Sequence, residues 1–292
     1  MKLKLKNNFI FLLFFSLVLY GCYEPKEGCL DVRATNFDLD ADNPCPDCCE
    51  YPVFKLKTSH RYIVDDTTYY TVRFGDSIYL DGANHPFRLE SVRYFLSGFE
   101  LIKSSGEAVS IEDKIDIEVS DGSGSRMVRS FTDDFVLINA AHSSTITVGT
   151  FTQPGTYKGI RFLIGLDPVV DTAIPQYMPE NHPLSNTADE MYDAVNGHYY
   201  ASKIALFKDT VPSDTIPRII ASYASNASQL VDLPFSEEFT LPEGFHLHVT
   251  LAVDCISWFD GVDVRSDSDA VVIEKINAAL PTSFFVSSIS TK

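Results

Sequence analysis

From residue 53 onward the chain alternates apolar and polar positions with the two-residue period of half-buried strands. Phe54 and Leu56 alternate with Lys55 and Lys57, and the run Tyr69-Tyr70-Thr71-Val72-Arg73-Phe74 follows. Runs of the same kind cover residues 78–80, 92–102, 115–119, 135–138, 144–151, 160–166, 198–207, 218–224, 245–253 and 284–289. Asp121-Gly122-Ser123-Gly124, Gln153-Pro154-Gly155 and Leu241-Pro242-Glu243-Gly244 are turn signals between them. Many short strands with no strand and helix alternation and no internal repeat predict an all-β fold, an antiparallel β-sandwich or barrel with long loops. One short C-terminal helix is expected over 270–280, because Asp267-Ser268-Asp269 offers a cap, Val272, Ile276 and Leu280 share a face, and Pro281 stops it. In 245–253, Phe245, Leu247, Val249, Leu251 and Val253 fall on the core face, which leaves His246 and His248 on the other.

The first 52 residues break this pattern. Lys2, Lys4 and Lys6 precede an apolar run over 9–20 that is too short for a transmembrane helix, so residues 1–21 are expected to be a signal peptide. Leu19-Tyr20-Gly21-Cys22 fits a lipoprotein cleavage site, with Cys22 taking the lipid that anchors the protein to a membrane of the cell envelope, most naturally the outer membrane. Residues 22–52 are rich in cysteine, aspartate and turn formers and cannot build a core. Residues 53–292 form the β domain. Cys29 is expected to pair with Cys45, Cys48 or Cys49 in an oxidising compartment, and the neighbours Cys48 and Cys49 not with each other. Two sharper readings compete. Asp38, Asp40 and Asp42 have the spacing of a calcium loop without its glycine and distal glutamate, and Cys45-x-x-Cys48-Cys49 offers soft thiolates for Cu(I) if it stays reduced. Gly28-Cys29-x-Asp31, Ala34, Asn36-Phe37-Asp38 and Asp40-Ala41 together resemble a cysteine-bearing segment of exported Bacteroidetes proteins.

A formal charge of −17 argues against nucleic acid as a partner, since that needs a basic face. Losing the leader removes three lysines and no carboxylate, which sharpens the argument. The sequence has no Gly-x-Ser-x-Gly, no His-Glu-x-x-His, no phosphate-binding glycine loop and no Cys-x-x-Cys-His. Histidine is the better lead to chemistry. His246-x-His248 places two imidazoles on one side of a strand about 7 Å apart, close enough to share an ion.

The stretch 157–207 carries an ordered set of short motifs: Tyr157, Ile160, Arg161, Phe162 and Gly165, then His182-Pro183-Leu184, then Met191-Tyr192, then Gly197 and Tyr199. With Tyr94-Phe95-Leu96-Ser97, it resembles the MbnP-like (methanobactin-partner) family of bacterial copper-binding proteins. The resemblance reaches from about residue 53 to the C-terminus. It implies a β-sandwich, a copper ion, non-enzymatic action, and histidine ligands at the places of His60 and His182, joining His246 and His248. It also implies a dihaem enzyme of the peroxidase class as partner, which oxidises a tryptophan of its target. The family's tryptophan positions before Gly197 read Asp193-Ala194-Val195, and its His-Ile-Gly strand reads Ser222-Tyr223-Ala224. Trp258, the one tryptophan, lies at the end of the His246 strand and reads as a packed aromatic. A rival reading is a surface module that binds glycan or protein through aromatic loops around Tyr177, Tyr192, Tyr199 and Tyr200.

Overall fold

A computed structural model describes residues 23–65, 68–121, 123, 125–185, 190–211 and 216–292. Residues 1–22, on which the expected signal peptide and lipidated Cys22 fall, lie outside the described residues. In chain order the strands are β1 (Glu27–Gly28), β2 (Asn43–Pro44), β3 (Val53–Ile63), β4 (Tyr69–Thr71), β5 (Ile78–Leu80) and β6 (Pro86–Lys103). Next come β7 (Ala108–Ser110), β8 (Lys114–Ser120), β9 (Arg126–Thr132), β10 (Val136–Asn139), β11 (Thr145–Thr150) and β12 (Gly155–Ile164). The last are β13 (Tyr192–Asp193), β14 (His198–Phe207), β15 (Arg218–Tyr223), β16 (Gln229–Leu241), β17 (Leu247–Asp254) and β18 (Phe284–Thr291). Helix α1 (Ala224–Ala227) is a single turn absent from the sequence expectation, and α2 (Asp269–Ala279) is the expected C-terminal helix.

The fold is an all-β sandwich. One sheet has nine strands with the path β13-β14-β6-β12-β16, and β5, β7, β10 and β15 pair off it; the other has five, β11-β3-β17-β18 with β4 on β3. The 18-residue β6 is the spine of the larger sheet, paired along its length with β5, β7, β10, β12 and β14. In the smaller sheet β3 runs parallel to β17, so the antiparallel expectation holds for every other pair but that one and the short β1–β2 bridge. Phe54, Phe99, Phe162 and Phe284 pack in a chain at centroid separations of 5.6, 5.7 and 5.6 Å, and so tie β3 and β18 of one sheet to β6 and β12 of the other. Two of the three contacts are edge-to-face and that of Phe99 with Phe162 is tilted, and aromatic pairs of this kind add about 0.5–1.5 kcal/mol each beyond burial.

Three elements depart from the sequence expectation. Strand β16 was not legible, because Pro234 and the acidic stretch around Glu237 and Glu238 hide a strand that pairs with β12 on one side only. Phe245 is 47% exposed, since β17 begins two residues after it. The long segment after β12 is not a free loop. Leu166, Val170, Ala173, Met178, Leu184 and Met191 fold back to make a second core with Phe95 and Tyr199, Ile117 and Val119 of β8 among them. Buried Asp171 holds that fold: its Oδ1 accepts the Tyr199 N–H at 2.7 Å and its Oδ2 accepts from His198 Nδ1 at 2.8 Å. The Tyr199 hydroxyl donates to the Leu184 carbonyl at 2.6 Å. Gly165, at φ 105°, lies so close to Ser228 that a Cβ would meet its Oγ at 2.4 Å, so only glycine starts this turn.

In the N-terminal module disulfides join Cys29 to Cys49 and Cys45 to Cys48. All four sulfurs are oxidised, so the thiolate Cu(I) site does not form. Of the three carboxylates in the calcium reading, Asp38 and Asp42 are bonded to Lys26. Lys26 stands among them, its ammonium 2.7 Å from Asp38 Oδ2 and its backbone N–H on Asp42 Oδ2, and the three carboxylates do not converge on one point.

Candidate metal centre

The sequence nominated His246, His248, His60 and His182 as one ligand set, and the fold separates them. His60 sits in β3 level with Val253 of β17, and His248 sits level with Lys55. Five residues of strand part the two, about 17 Å, and they face opposite sides. His60 is buried, its Nε2 is 2.8 Å from the Tyr94 hydroxyl, and burial lowers its pKa to about 4. His182 lies beside the second core, where it donates from Nε2 to Asp133 at 2.9 Å, takes the Leu184 N–H on Nδ1 at 3.1 Å, and packs edge-on to Phe135. It is a hydrogen-bonded loop residue.

His246 and His248 remain neighbours, but in cationic surroundings. His246 Nδ1 is already used, accepting the Val53 N–H at 3.1 Å. The Nε2 of His248 is buried without a partner. Burial first, then Lys55, Lys292 and His246, lower the His248 pKa, and the ammonium groups of Lys55 and Lys292 disfavour a metal ion beside it.

A different set converges. Among the described residues, one group of three side chains brings its ligand atoms within 4.8 Å of one another: Asp81, His85 and Asp263. Two turns build it. The first links β5 to β6, where the Asp81 N–H bonds the His85 carbonyl at 3.0 Å and Asn84 takes a left-handed φ of 61°. Asp81 fixes its own turn, its Oδ1 accepting the N–H groups of Ala83 at 3.0 Å and His85 at 2.7 Å. The second turn follows β17 and its short helical turn Ser257–Phe259. It docks onto the first through Gly82, whose N–H bonds the Phe259 carbonyl at 2.9 Å. A Cβ on Gly82 would lie 2.0 Å from the Asp260 carbonyl oxygen, so a side chain there would push the two turns apart.

Asp81 Oδ2 reaches across to accept the Val264 N–H at 2.7 Å. Asp263 Oδ1 accepts the N–H groups of Arg265 and Ser266, both at 3.0 Å, and the Asp263 N–H is held by Asp267, which Lys275 of α2 neutralises at 2.7 Å. Burial pushes the Asp263 carboxyl up, yet the N–H groups of Arg265 and Ser266, the Ser266 hydroxyl and His85 together outweigh it and hold the pKa at about 2. Arg218 of β15 braces the same turn, bonding the carbonyls of Val264 at 2.8 Å and Asp267 at 2.7 Å.

His85 Nδ1 lies between the carboxylates, 3.0 Å from Asp263 Oδ1 and 3.7 Å from Asp81 Oδ2. Donors bound to one ion at about 2.1 Å lie about 3.0–3.5 Å apart, so the spacing fits an ion in the place of the imidazole proton. Asp81 Oδ2 keeps a lone pair beyond its one N–H bond. The Asp81 side chain is fully buried, while His85 is 33% and Asp263 26% exposed, so the cluster opens to solvent on one side. One imidazole and two carboxylates suit Cu(II), Zn(II) or a harder divalent ion, and lack the soft donors that select Cu(I). The sequence does not show this set as a unit, because Asp81 and His85 stand four residues apart but Asp263 stands 178 residues beyond His85.

Trp258 is buried in the core, with its Nε1–H on Ser283 Oγ at 2.7 Å, as a packed aromatic. Of the tyrosines proposed for a binding loop, Tyr199 is buried and Tyr200 is stacked on Tyr223 at 4.9 Å, with the hydroxyls of Tyr200 and Tyr223 both on Asp193. Tyr177 alone among them is well exposed.

No curated protein matches the chain. Among solved structures, MbnP from Methylosinus trichosporium is similar at 14% identity, with a TM-score of 0.46, over 82% of this chain and 98% of that one. A model of the MbnP family matches residues 54–275, from the first strand of the sandwich into α2, and the chain belongs to that family.

Proposed function

We propose that the protein is a non-enzymatic, lipid-anchored component of the cell envelope that binds copper as Cu(II), or a similar divalent transition metal, between Asp81, His85 and Asp263. Membership of the MbnP family supports copper as the cargo. The observation that carries the reading is the convergence of one imidazole and two carboxylates from two rigid, mutually bonded turns. Preorganised turns matter because an ion then gains three donors without the cost of ordering them. No described helix is long and apolar enough to cross a membrane.

Titration calorimetry of the mature protein with Cu(II) and Zn(II) tests the site. One ion per chain is expected, with the affinity reduced at least a hundredfold in His85→Ala and in Asp263→Asn. Failure of the wild type to bind either ion, or equal binding by His85→Ala, removes the reading. Anchoring is tested separately: Cys22→Ser should move the exported protein from the membrane fraction to the soluble one, and full retention on the membrane would show another anchor.

A further inference from the structure

The β3–β4 hairpin and β5, which pairs with β6 in the larger sheet, build a second feature that the metal reading does not use. A cavity of about 390 Å³ opens there, with the rings of Tyr62, Tyr70 and Tyr79 as its walls. Thr71, Arg73 and Ser77 stand around them, and Ile78 is the one aliphatic contributor. Tyr62 and Tyr70 are direct cross-strand partners and so share a face of the small sheet. They are 39% and 61% exposed. Tyr79 is the fixed wall: its hydroxyl takes the Arg73 N–H at 2.9 Å and returns a bond to the Arg73 carbonyl, and its ring lies against Phe87 of the main core. Tyr62 stands edge-on to Tyr79 at 6.0 Å. Among the described residues Arg73 is bonded through its backbone alone, which leaves its guanidinium to a ligand.

We propose that this trough binds a neutral oligosaccharide. Sugar rings present apolar C–H faces ringed by hydroxyls, and the trough offers aromatic faces ringed by hydroxyls and a guanidinium. Six of its seven lining residues carry such a polar group; the Tyr79 hydroxyl is held by the Arg73 backbone, and a purely apolar ligand would offer the other five no partner. Its volume is in the small-molecule range, whereas a stable protein interface takes about 800 Å² from each partner. Arg73 is the one charged side chain of the lining, and a formal charge of −17 on the whole chain opposes acidic polymers at long range, which favours neutral ones.

The mature protein is run through native gels containing starch, xylan, laminarin or galactomannan, with alginate as the acidic control. At least one neutral polymer should retard it and alginate should not. Tyr62→Ala with Tyr70→Ala should raise the dissociation constant for that polymer at least tenfold, while the paired Tyr→Phe variant, which keeps the rings, should stay within threefold of wild type. His85→Ala should leave retardation unchanged, so a failed metal site and a failed trough are told apart. Lack of retardation by all four neutral polymers, retardation by alginate alone, or wild-type affinity in the alanine pair overturns the proposal.

Discussion

Two regions of this sandwich are built on opposite plans. The stretch 157–207 is the most recognisable part of the sequence, and the structure spends nearly all of its marked residues on packing. Tyr157, Ile160, Phe162, Leu184, Met191 and Tyr199 are buried, Arg161 bridges Glu100 and Asp232 on the surface of the large sheet, and His182 is tied to Asp133. The corner at Asp81, His85 and Asp263 has no sequence signature, yet there the side chains are left open on one side with donors facing each other. A memorable motif thus marks how a chain folds, while a site can be assembled from unremarkable turns once the fold brings them together.

Substitutions should separate the two plans. Tyr199→Ala removes a buried ring and its bond to Leu184, and is expected to cost about 3–5 kcal/mol of unfolding free energy, measured by urea denaturation, without changing metal stoichiometry. His60 tests whether a histidine in a family position acts as core or as ligand. Its folded pKa of about 4 lies below the ordinary 6.5, so the unfolded chain binds the proton first. The stability it contributes is complete above 6.5 and is lost as pH falls toward 4, by about 3 kcal/mol. Urea midpoints across that window should fall in the wild type and fall less in His60→Phe, and equal slopes would refute the buried-core assignment. His246→Ala with His248→Ala should cost only about 1 kcal/mol, the lost bond to Val53, and leave metal binding intact. Loss of binding in that pair would return the site to β17. His85→Ala should change stability least, within about 1 kcal/mol, while weakening ion binding at least a hundredfold.

Much of the sandwich was legible because half-buried strands write their period into the chain. The core face of β17 could be read directly: Leu247, Val249, Leu251 and Val253 are all buried. So was α2, from Val272 and Ile276. Strand β16 was hidden because an edge strand tolerates proline and acidic residues that a central one excludes. For the site, the sequence put His248 on the correct outer side of β17, with His246 just before the strand, but could not show that β3 would lay Lys55 beside His248. Asp81 and His85 were visible only as a turn, Asp263 as one of many aspartates. No local pattern encodes a contact made between turns 178 residues apart.

The parallel pairing of β3 with β17 also bears on how the chain reaches this state. Val53 and His246 are bonded although 193 residues separate them, and the smaller sheet closes only when that late strand is in place beside the first. A chain emerging from its N-terminus therefore carries β3 with an unfilled edge until nearly the whole domain is available, and pairing at such separation is slow. Premature termination before residue 247 would leave that edge exposed to other chains. Folding is thus expected to be all-or-none near completion of the chain, with aggregation rather than a stable fragment as the outcome of truncation.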